Sequence, residues 1–239
     1  MKKIITLLLG IILVSSCKKD KTTESDSCTY TVSYLTETAV GSYTAPNGDI
    51  HGTSGVYESR ITNVAGCDSI ITINLTITVP IAIGDFAEGG IVFWLDGNGG
   101  GLVCAIADQS NSIQWNSGVQ KWTGASGTAI GTGDVNTTKI ISFQGSPTID
   151  YAANIANTYI GNGYTDWFLP SKLELAEINK NKNTINTSAL ANGGTALSNI
   201  YWSSTEYNTD YAYFYVLPAN DSFTNNKKST SSVRAVRAF

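Results

Sequence analysis

The 239-residue sequence predicts an α+β, sheet-rich chain in two parts: a small all-β part over 28–80 and a larger mixed part over 83–239. Three observations carry this. Gly (23 residues), Thr, Ser and Asn are abundant while helix formers are sparse. The segment Ile70–Val79 alternates almost without fault, with Ile71, Ile73, Leu75, Ile77 and Val79 on one face and Thr72, Asn74, Thr76 and Thr78 on the other, the pattern of a half-buried antiparallel strand. Beyond Pro80 the texture changes to strands and Gly-rich turns, with two helical stripes between them.

The N-terminal end reads as a leader. Lys2 and Lys3 precede an apolar run, Ile4 to Val14, interrupted only by Thr6 and Gly10, and Ser15, Ser16 and Cys17 follow. This is the layout of a secretory signal, and the run is shorter than the roughly 20 residues of a spanning helix. The cysteine after Val14-Ser15-Ser16 resembles the lipobox of bacterial lipoproteins. The resemblance implies removal of residues 1–16, a diacylglycerol on the Cys17 sulfur and a membrane as partner through that lipid anchor. Residues 17–27 are expected to be a flexible tether, because Lys18 to Ser27 holds no apolar side chain to bury. Its Lys/Asp/Glu-rich start resembles the surface-export signals of Bacteroidetes lipoproteins, implying the outer face of an outer membrane.

Without Lys2 and Lys3, thirteen basic residues face nineteen acidic ones, a formal charge of −6, and only 14% of all residues are charged. The basic residues are scattered, which excludes the footprint a nucleic acid needs. Cys28, Cys67 and Cys104 remain beside Cys17, an odd number in an oxidising compartment. With no C-x-x-C and a single histidine, His51, the chain lacks the ligand spacing of a structural zinc site, and no metal or cofactor is expected. His51, beside Gly52, reads as a solvated loop residue.

In the small part, Cys28 to Leu35 and Cys67 to Leu75 are both a cysteine opening an alternating strand that ends in Leu-Thr, 39 residues apart. We read one and a fraction copies of a β repeat, the intact one from about Thr36 to Val79. Gly41 to Gly48 is turn-rich, with Asn47-Gly48 a hairpin signal, and Val56-Tyr57 to Ile61 is a short strand. The block with Gly66-Cys67-Asp68-Ser69 resembles the short immunoglobulin-like repeats of Bacteroidetes surface proteins. Copies in that family carry another cysteine near the position of Val40, absent here, so pairing of Cys28 with Cys67 is left open. A spacer lifting the next part off the membrane is the leading reading, and an adhesive module the alternative.

In the larger part, Gly89 to Asp96 and Leu102 to Ala107 are strands joined by the turn Gly97 to Gly101. That turn lacks a following Lys-Ser/Thr and leads into a strand, so it is not a phosphate loop. Cys104, among apolar neighbours, is expected to be a buried, unreactive thiol. Ser146-Pro147 reads as a helix start, with Ile149, Ala152, Ala153, Ala156 and Ile160 as its stripe and Gly161 and Gly163 as its stop. Ser171 and Glu174 form a capping box after Pro170, with Leu173, Leu175, Ala176 and Ile178 on the buried side. A further single turn is expected over Thr187 to Asn192. Strands close the chain at Ile200 to Thr205, Tyr211 to Leu217 and Ser232 to Phe239.

Trp167, Tyr201 and Trp202 read as core side chains, and Arg234 and Arg237 as partners for Glu174, Glu177 or Glu206. No Ser/His/Asp set is available, because His51 lies in the other part, and the acidic residues are scattered; the chain is read as no enzyme. The candidate binding surface is Tyr207 to Ser231. It holds Tyr207, Asn208, Asp210, Tyr211, Tyr213, Tyr215, Asn220, Asp221, Phe223, Asn225 and Asn226. Tyr and Asn combine rigid amphipathic area with adaptable hydrogen bonding, as in paratopes. Tyr211, Tyr213 and Tyr215 share one side of their strand, and whether that side faces solvent or the core is left open.

Three segments carry a family resemblance: Trp167-Phe168-Leu169-Pro170-Ser171 with Glu174-Leu175, Tyr201-Trp202-Ser203-Ser204-Thr205-Glu206, and Val233-Arg234-Ala235-Val236-Arg237. In this order and spacing they resemble the family named for the C-terminal domain of the Legionella collagen-like adhesin, and its relative, the major paralogous domain of Fibrobacter. The resemblance spans about Ile83 to Phe239. It implies a C-type-lectin-like fold: a twisted antiparallel sheet, two flanking helices and both domain ends paired in one sheet. The family's Trp-Arg-Leu-Pro is Trp-Phe-Leu-Pro here. Enzymes of the lectin-like superfamily that generate formylglycine need paired cysteines, and only Cys104 lies in this part; the calcium-lectin signatures are absent too. The expected function is a surface-exposed, non-enzymatic binding or adhesion module with a glycan or a surface protein as ligand. Alternatives are a structural envelope lipoprotein without specific ligand and a variable receptor. The last rests on diversity-generating retroelements, which rewrite adenine-rich codons toward Asn, Tyr, Asp, Ser and Thr, the residues crowded between Tyr207 and Ser231.

Overall fold

A computed structural model describes residues 31–62, 68–145 and 150–239. The leader, the lipidation at Cys17, the tether, the Cys28–Cys67 question, Gly66 and the Ser146-Pro147 helix start with Ile149 lie outside the described residues. The chain divides into two compact units, Met1–Pro80 and Ile81–Phe239. Among the described residues no helix is long and apolar enough to cross a membrane.

The first unit is all β. Its strands are β1 (Thr31–Val40), β2 (Tyr43–Thr44), β3 (Ile50–His51), β4 (Gly55–Thr62) and β5 (Asp68–Thr78). They form a three-stranded sheet of order β1-β5-β4 and a β2-β3 hairpin. The alternation of β5 does what the sequence predicts on the face toward the core: Ile73 and Leu75 are buried there with Ala45, packed by Leu35, Tyr43, Tyr57, Ile71 and Ile77. The expectation of purely antiparallel pairing does not hold. β5 is antiparallel to β4 but parallel to β1, with Thr31 opposite Ser69 and Leu35 opposite Ile73. The two similar segments of the sequence therefore lie side by side, each alternating in the same phase, so one apolar face continues across both. His51 is not a solvated loop residue. It sits in β3, half-buried, with its ring stacked on Tyr57 at 3.8 Å between centroids.

The second unit contains β6 (Phe86–Ala87), β7 (Gly90–Leu95), β8 (Gly101–Cys104), β9 (Ser110–Gln114), α1 (Gly133–Gln144), α2 (Ala152–Asn157), α3 (Lys172–Lys180) and α4 (Lys182–Ala191). It closes with β10 (Ile200–Glu206), β11 (Tyr211–Val216), β12 (Asp221–Asn226), β13 (Thr230–Val233) and β14 (Val236–Ala238). One sheet has the order β14-β8-β7-β6, so the first and last strands of the unit share it; the other has the order β12-β11-β10-β13-β9. The expected single closing strand is two. β13 pairs with β9 and β10, whereas β14 pairs with β8, and the chain changes sheet at Arg234-Ala235. The two faces used by this segment are thus the two sides of a crossing, with the Arg234 side chain anchored in it.

The helices differ from expectation for identifiable reasons. α1 escapes propensity reasoning because Gly, Asp, Asn and Thr dominate its first turns; it is held by buried polar contacts, with Asn136 and Thr137 each 1% exposed. The Thr137 hydroxyl accepts from the Leu169 N–H at 3.0 Å and donates to the Gly133 carbonyl at 2.8 Å. α2 is short and starts after Tyr151, with Ala152, Ala153 and Ala156 on its buried side as predicted. α3 carries the predicted capping box. Leu175 and Ile178 face the core as expected, whereas Leu173, expected beside them, is 44% exposed. α4 extends well beyond the single turn expected, around buried Ile185 and Ala189. Two clusters fill the core. One gathers Trp115, Trp167 and Trp202 with the alanines of α2; the other packs Phe93, Phe168, Leu175, Ile178, Tyr201 and Tyr215.

Candidate functional site

The β11–β12 hairpin holds most of the candidate surface, and its register sorts the residues. Tyr211 pairs with Asn226, Tyr213 with Thr224 and Tyr215 with Ser222, while Ala212, Phe214 and Val216 pair with Asn225, Phe223 and Asp221. Directly opposed residues share a face, so the tyrosines and Asn226 lie on one side and Phe223, Asn225 and Asp221 on the other. Along the tyrosine side burial is graded. Tyr211 is 42% exposed, Tyr213 is half-buried and Tyr215 is 5% exposed.

Tyr215 is therefore no contact residue. It packs in the Leu175–Ile178 cluster, and its hydroxyl meets Asn220 Oδ1 at 3.1 Å. That oxygen also accepts from Asn179 Nδ2 of α3 at 2.6 Å, so Asn220 fastens the hairpin turn to the helix. Other amides shape loops as well. Asn208 Oδ1 accepts from the N–H groups of Asp210 and Tyr211, both at 2.9 Å. Asp221 Oδ1 accepts from the Ser222 N–H, Asn225 Oδ1 from the Asn226 N–H, and Asn226 Oδ1 from the Lys228 N–H. Asp210, like Asn208, remains exposed. On the far face, Phe223 lies 6.1 Å from Phe214, which abuts Trp202.

What remains accessible is an aromatic group at the open end of the hairpin. Tyr207, 54% exposed, meets Tyr213 edge-on at 5.6 Å between centroids, and the Lys172 ammonium lies 4.7 Å from the Tyr213 ring centre. Sequence reading missed what sits beside it. The loop Asn116–Gly124 bears exposed Val119 and Trp122, and Gln120 Nε2 donates to Asn226 Oδ1 at 3.4 Å.

Loop and hairpin are locked by a fully buried ion pair, Lys227 with Glu206. The Lys227 ammonium also donates to the carbonyls of Lys121 (3.0 Å) and Thr209 (2.9 Å) and lies 4.6 Å from the centre of a Trp115 ring. Glu206 accepts from the N–H groups of Thr123 and Gly124, both at 2.9 Å, and from the Thr123 hydroxyl at 3.0 Å. All three ammonium protons thus have acceptors, which is what allows a charge to be buried. Burial pulls the Lys227 pKa down, and Glu206 opposes that shift. No spacing rule links Lys121, Glu206 and Lys227, so nothing in the sequence marks this set.

The motif residues are structural anchors. Glu174, buried, accepts from Ser171 N–H (2.7 Å), Gly131 N–H (2.8 Å) and Gly133 N–H (3.2 Å), joining α3 to the loop before α1; burial raises its pKa. A side chain at Gly133 would collide with that carboxylate and with Phe168. Pro170 and Leu169 are buried, and the Ser204 N–H donates to the Pro170 carbonyl at 2.7 Å. Trp202 Nε1 donates to the Ile113 carbonyl, Trp115 Nε1 to the Ser203 carbonyl and Trp167 Nε1 to the Tyr164 carbonyl. Phe168, where the resembled family has arginine, puts its ring in the core while its backbone bonds Val236 in both directions, at 2.8 and 2.9 Å.

The arginines do not pair with Glu174, Glu177 or Glu206. Arg234 Nε binds Asp108 at 2.6 Å and its other nitrogens reach the carbonyls of Ala105, Thr195 and Ala196. Arg237 Nε binds Asp166 at 2.5 Å and the guanidinium lies 3.8 Å from the Tyr164 ring centre. Glu174 and Glu206 are already committed to backbone N–H groups, and Glu177 pairs with Lys180. Cys104 is fully buried, and burial pushes its thiol up to about 11. A cleft of about 270 Å³ lies between Asp134, Asn157, Asp166 and Trp167, and its Asp166 is held by Arg237. Among the described residues no group of three or more His, Cys, Asp or Glu is placed to hold a metal ion.

A profile of the Lcl C-terminal domain family matches residues 104–237, more than half of the chain. No curated protein matches. Among solved structures, the crystal structure of a fimbrial protein from Bacteroides ovatus is similar, with a TM-score of 0.49 and 14% identity over 78% of this chain and 58% of that one. The chain thus spans less than two thirds of that protein's length.

Proposed function

The chain belongs to the Lcl C-terminal domain family, and from that premise we propose that it is a surface-exposed, lipid-anchored, non-enzymatic binding module whose ligand docks on the open end of the β11–β12 hairpin. One observation carries the reading. Tyr207 meets Tyr213 edge-on beside Lys172, with exposed Tyr211 on the same side of the strand, on a hairpin fastened by the buried Lys227 and Glu206 pair. Amphipathic rings held in place bind at low entropic cost, and hot spots favour such residues. The anchor rests on the Val14-Ser15-Ser16-Cys17 leader, and the head is a C-type-lectin-like domain, supported by first and last strands in one sheet and helices packed beside it. The ligand is a glycan or a surface protein.

The test is a glycan array and a surface-protein pull-down with the full chain, against the Tyr207→Ala/Tyr211→Ala double variant. Retention of a probe by the parent, weakened at least tenfold in the variant at unchanged melting temperature, supports the reading. Silence on every probe favours an envelope protein without specific ligand, and undiminished binding by the variant moves the site elsewhere.

A further inference from the structure

We propose that two copies of this chain join edge to edge through β1, making one continuous six-stranded sheet about a two-fold axis at Thr36. The small size of the first unit favours such a partner. Among the described residues its buried apolar cluster is Ala45, Ile73 and Leu75, with five partly buried hydrophobics packed against it. A unit of this size is marginal even with a full core, and small units otherwise rely on staples or association.

The sheet edges of the molecule are not equally protected. On β12, one edge of the larger sheet, the Ser222 and Asn226 N–H groups are taken by the Asp221 and Asn225 side chains. On β4, Glu58 and Arg60 place opposite charges along the edge. β1 is bonded to β5 over its whole length and has no strand on its other side among the described residues. It runs for ten residues with no proline and a single charge, Glu37. A strand of that kind is a template for pairing with another chain.

Symmetry then restricts the register. An axis perpendicular to the sheet preserves its faces, so even-numbered residues must oppose even-numbered ones. The even side chains of β1 form the open face, where Val32 is 49%, Tyr34 82% and Val40 66% exposed. Centring on Thr36 places Val32 against the partner's Val40 and Tyr34 against the partner's Thr38, and keeps the two Glu37 carboxylates out of direct opposition. One strand per copy is a small interface, which sets the expected dissociation constant in the micromolar range. The assembly would present two heads and gain avidity, yet its formation does not depend on what the heads bind.

The test is sedimentation of the full chain in mild detergent over a concentration series, with Thr36→Lys, Thr36→Glu and their equimolar mixture. Thr36 is exposed, so either change leaves the fold intact, as circular dichroism will verify. We expect a reversible dimer for the parent, association weakened at least tenfold in each single variant, and recovery in the mixture, where opposite charges meet at the axis. A parent that stays monomeric throughout, a dimer indifferent to both variants, or a mixture no tighter than either variant would overturn the proposal.

Discussion

Ile73 and Trp202 are both fully buried, yet the units around them differ in kind. Around Ile73 stands a sheet whose described residues form one apolar face with a thin covering hairpin. Around Trp202 stands a two-cluster core crossed by buried charges, with Lys227–Glu206 and Arg234–Asp108 both inside it. The difference teaches that a surface can be made rigid in two ways. The first unit spreads weak backbone pairing along strands, whereas the second fastens long loops with a few polar contacts whose removal leaves an unpaired charge.

The largest effect should come from such a removal. Lys227→Met leaves Glu206 buried without its partner and should cost the second unit about 3–5 kcal/mol. All five tryptophans lie in that unit, so denaturation followed by tryptophan fluorescence reads it alone. A midpoint unchanged from the parent would show that the pair holds nothing. Next, Ile73→Ala should cost about 2–5 kcal/mol, but in the first unit: circular dichroism should lose strand signal early while the fluorescence transition stays in place. Coincident shifts of both signals would mean that the units are not separate in stability. Ser171→Ala removes the α3 cap and should lower the unfolding free energy read by fluorescence by about 1 kcal/mol.

The smallest effect is a pH dependence. Burial raises the Glu174 pKa above its ordinary 4.5, so the folded state holds that proton more tightly than the unfolded chain. The stability this gives is complete below 4.5 and is lost as pH rises through the raised value. The difference in urea midpoint between the parent and Glu174→Gln should therefore shrink from pH 4.5 upward; a difference that grows would reverse the assignment.

The contrast also explains what could be read from the sequence. The strand β5, the capping box at Ser171 and the buried Cys104 follow from local pattern, since alternation, a three-residue spacing and apolar neighbours are visible in one dimension. The aromatic group was half legible: Tyr207, Tyr211 and Tyr213 are accessible, but Tyr215 and Asn220 on the same hairpin serve the core and the turn. Period two puts side chains on a common side without saying how far along the strand that side stays covered. The partners of Arg234 and Arg237 and the loop bearing Trp122 were not legible, because Asp108 and Arg234 meet only after the chain has changed sheets. Helix α1 was hidden for a related reason, its stability residing in tertiary bonds from Asn136 and Thr137.

Native-state hydrogen exchange of the amides of Thr123 and Gly124 tests most directly whether the head is one rigid platform. Both donate to Glu206 from an otherwise irregular loop. They should open only with global unfolding of the second unit, as slowly as the β10 amides, and become fast in Lys227→Met. Exchange at the rate of a free loop in the parent chain would contradict that rigidity.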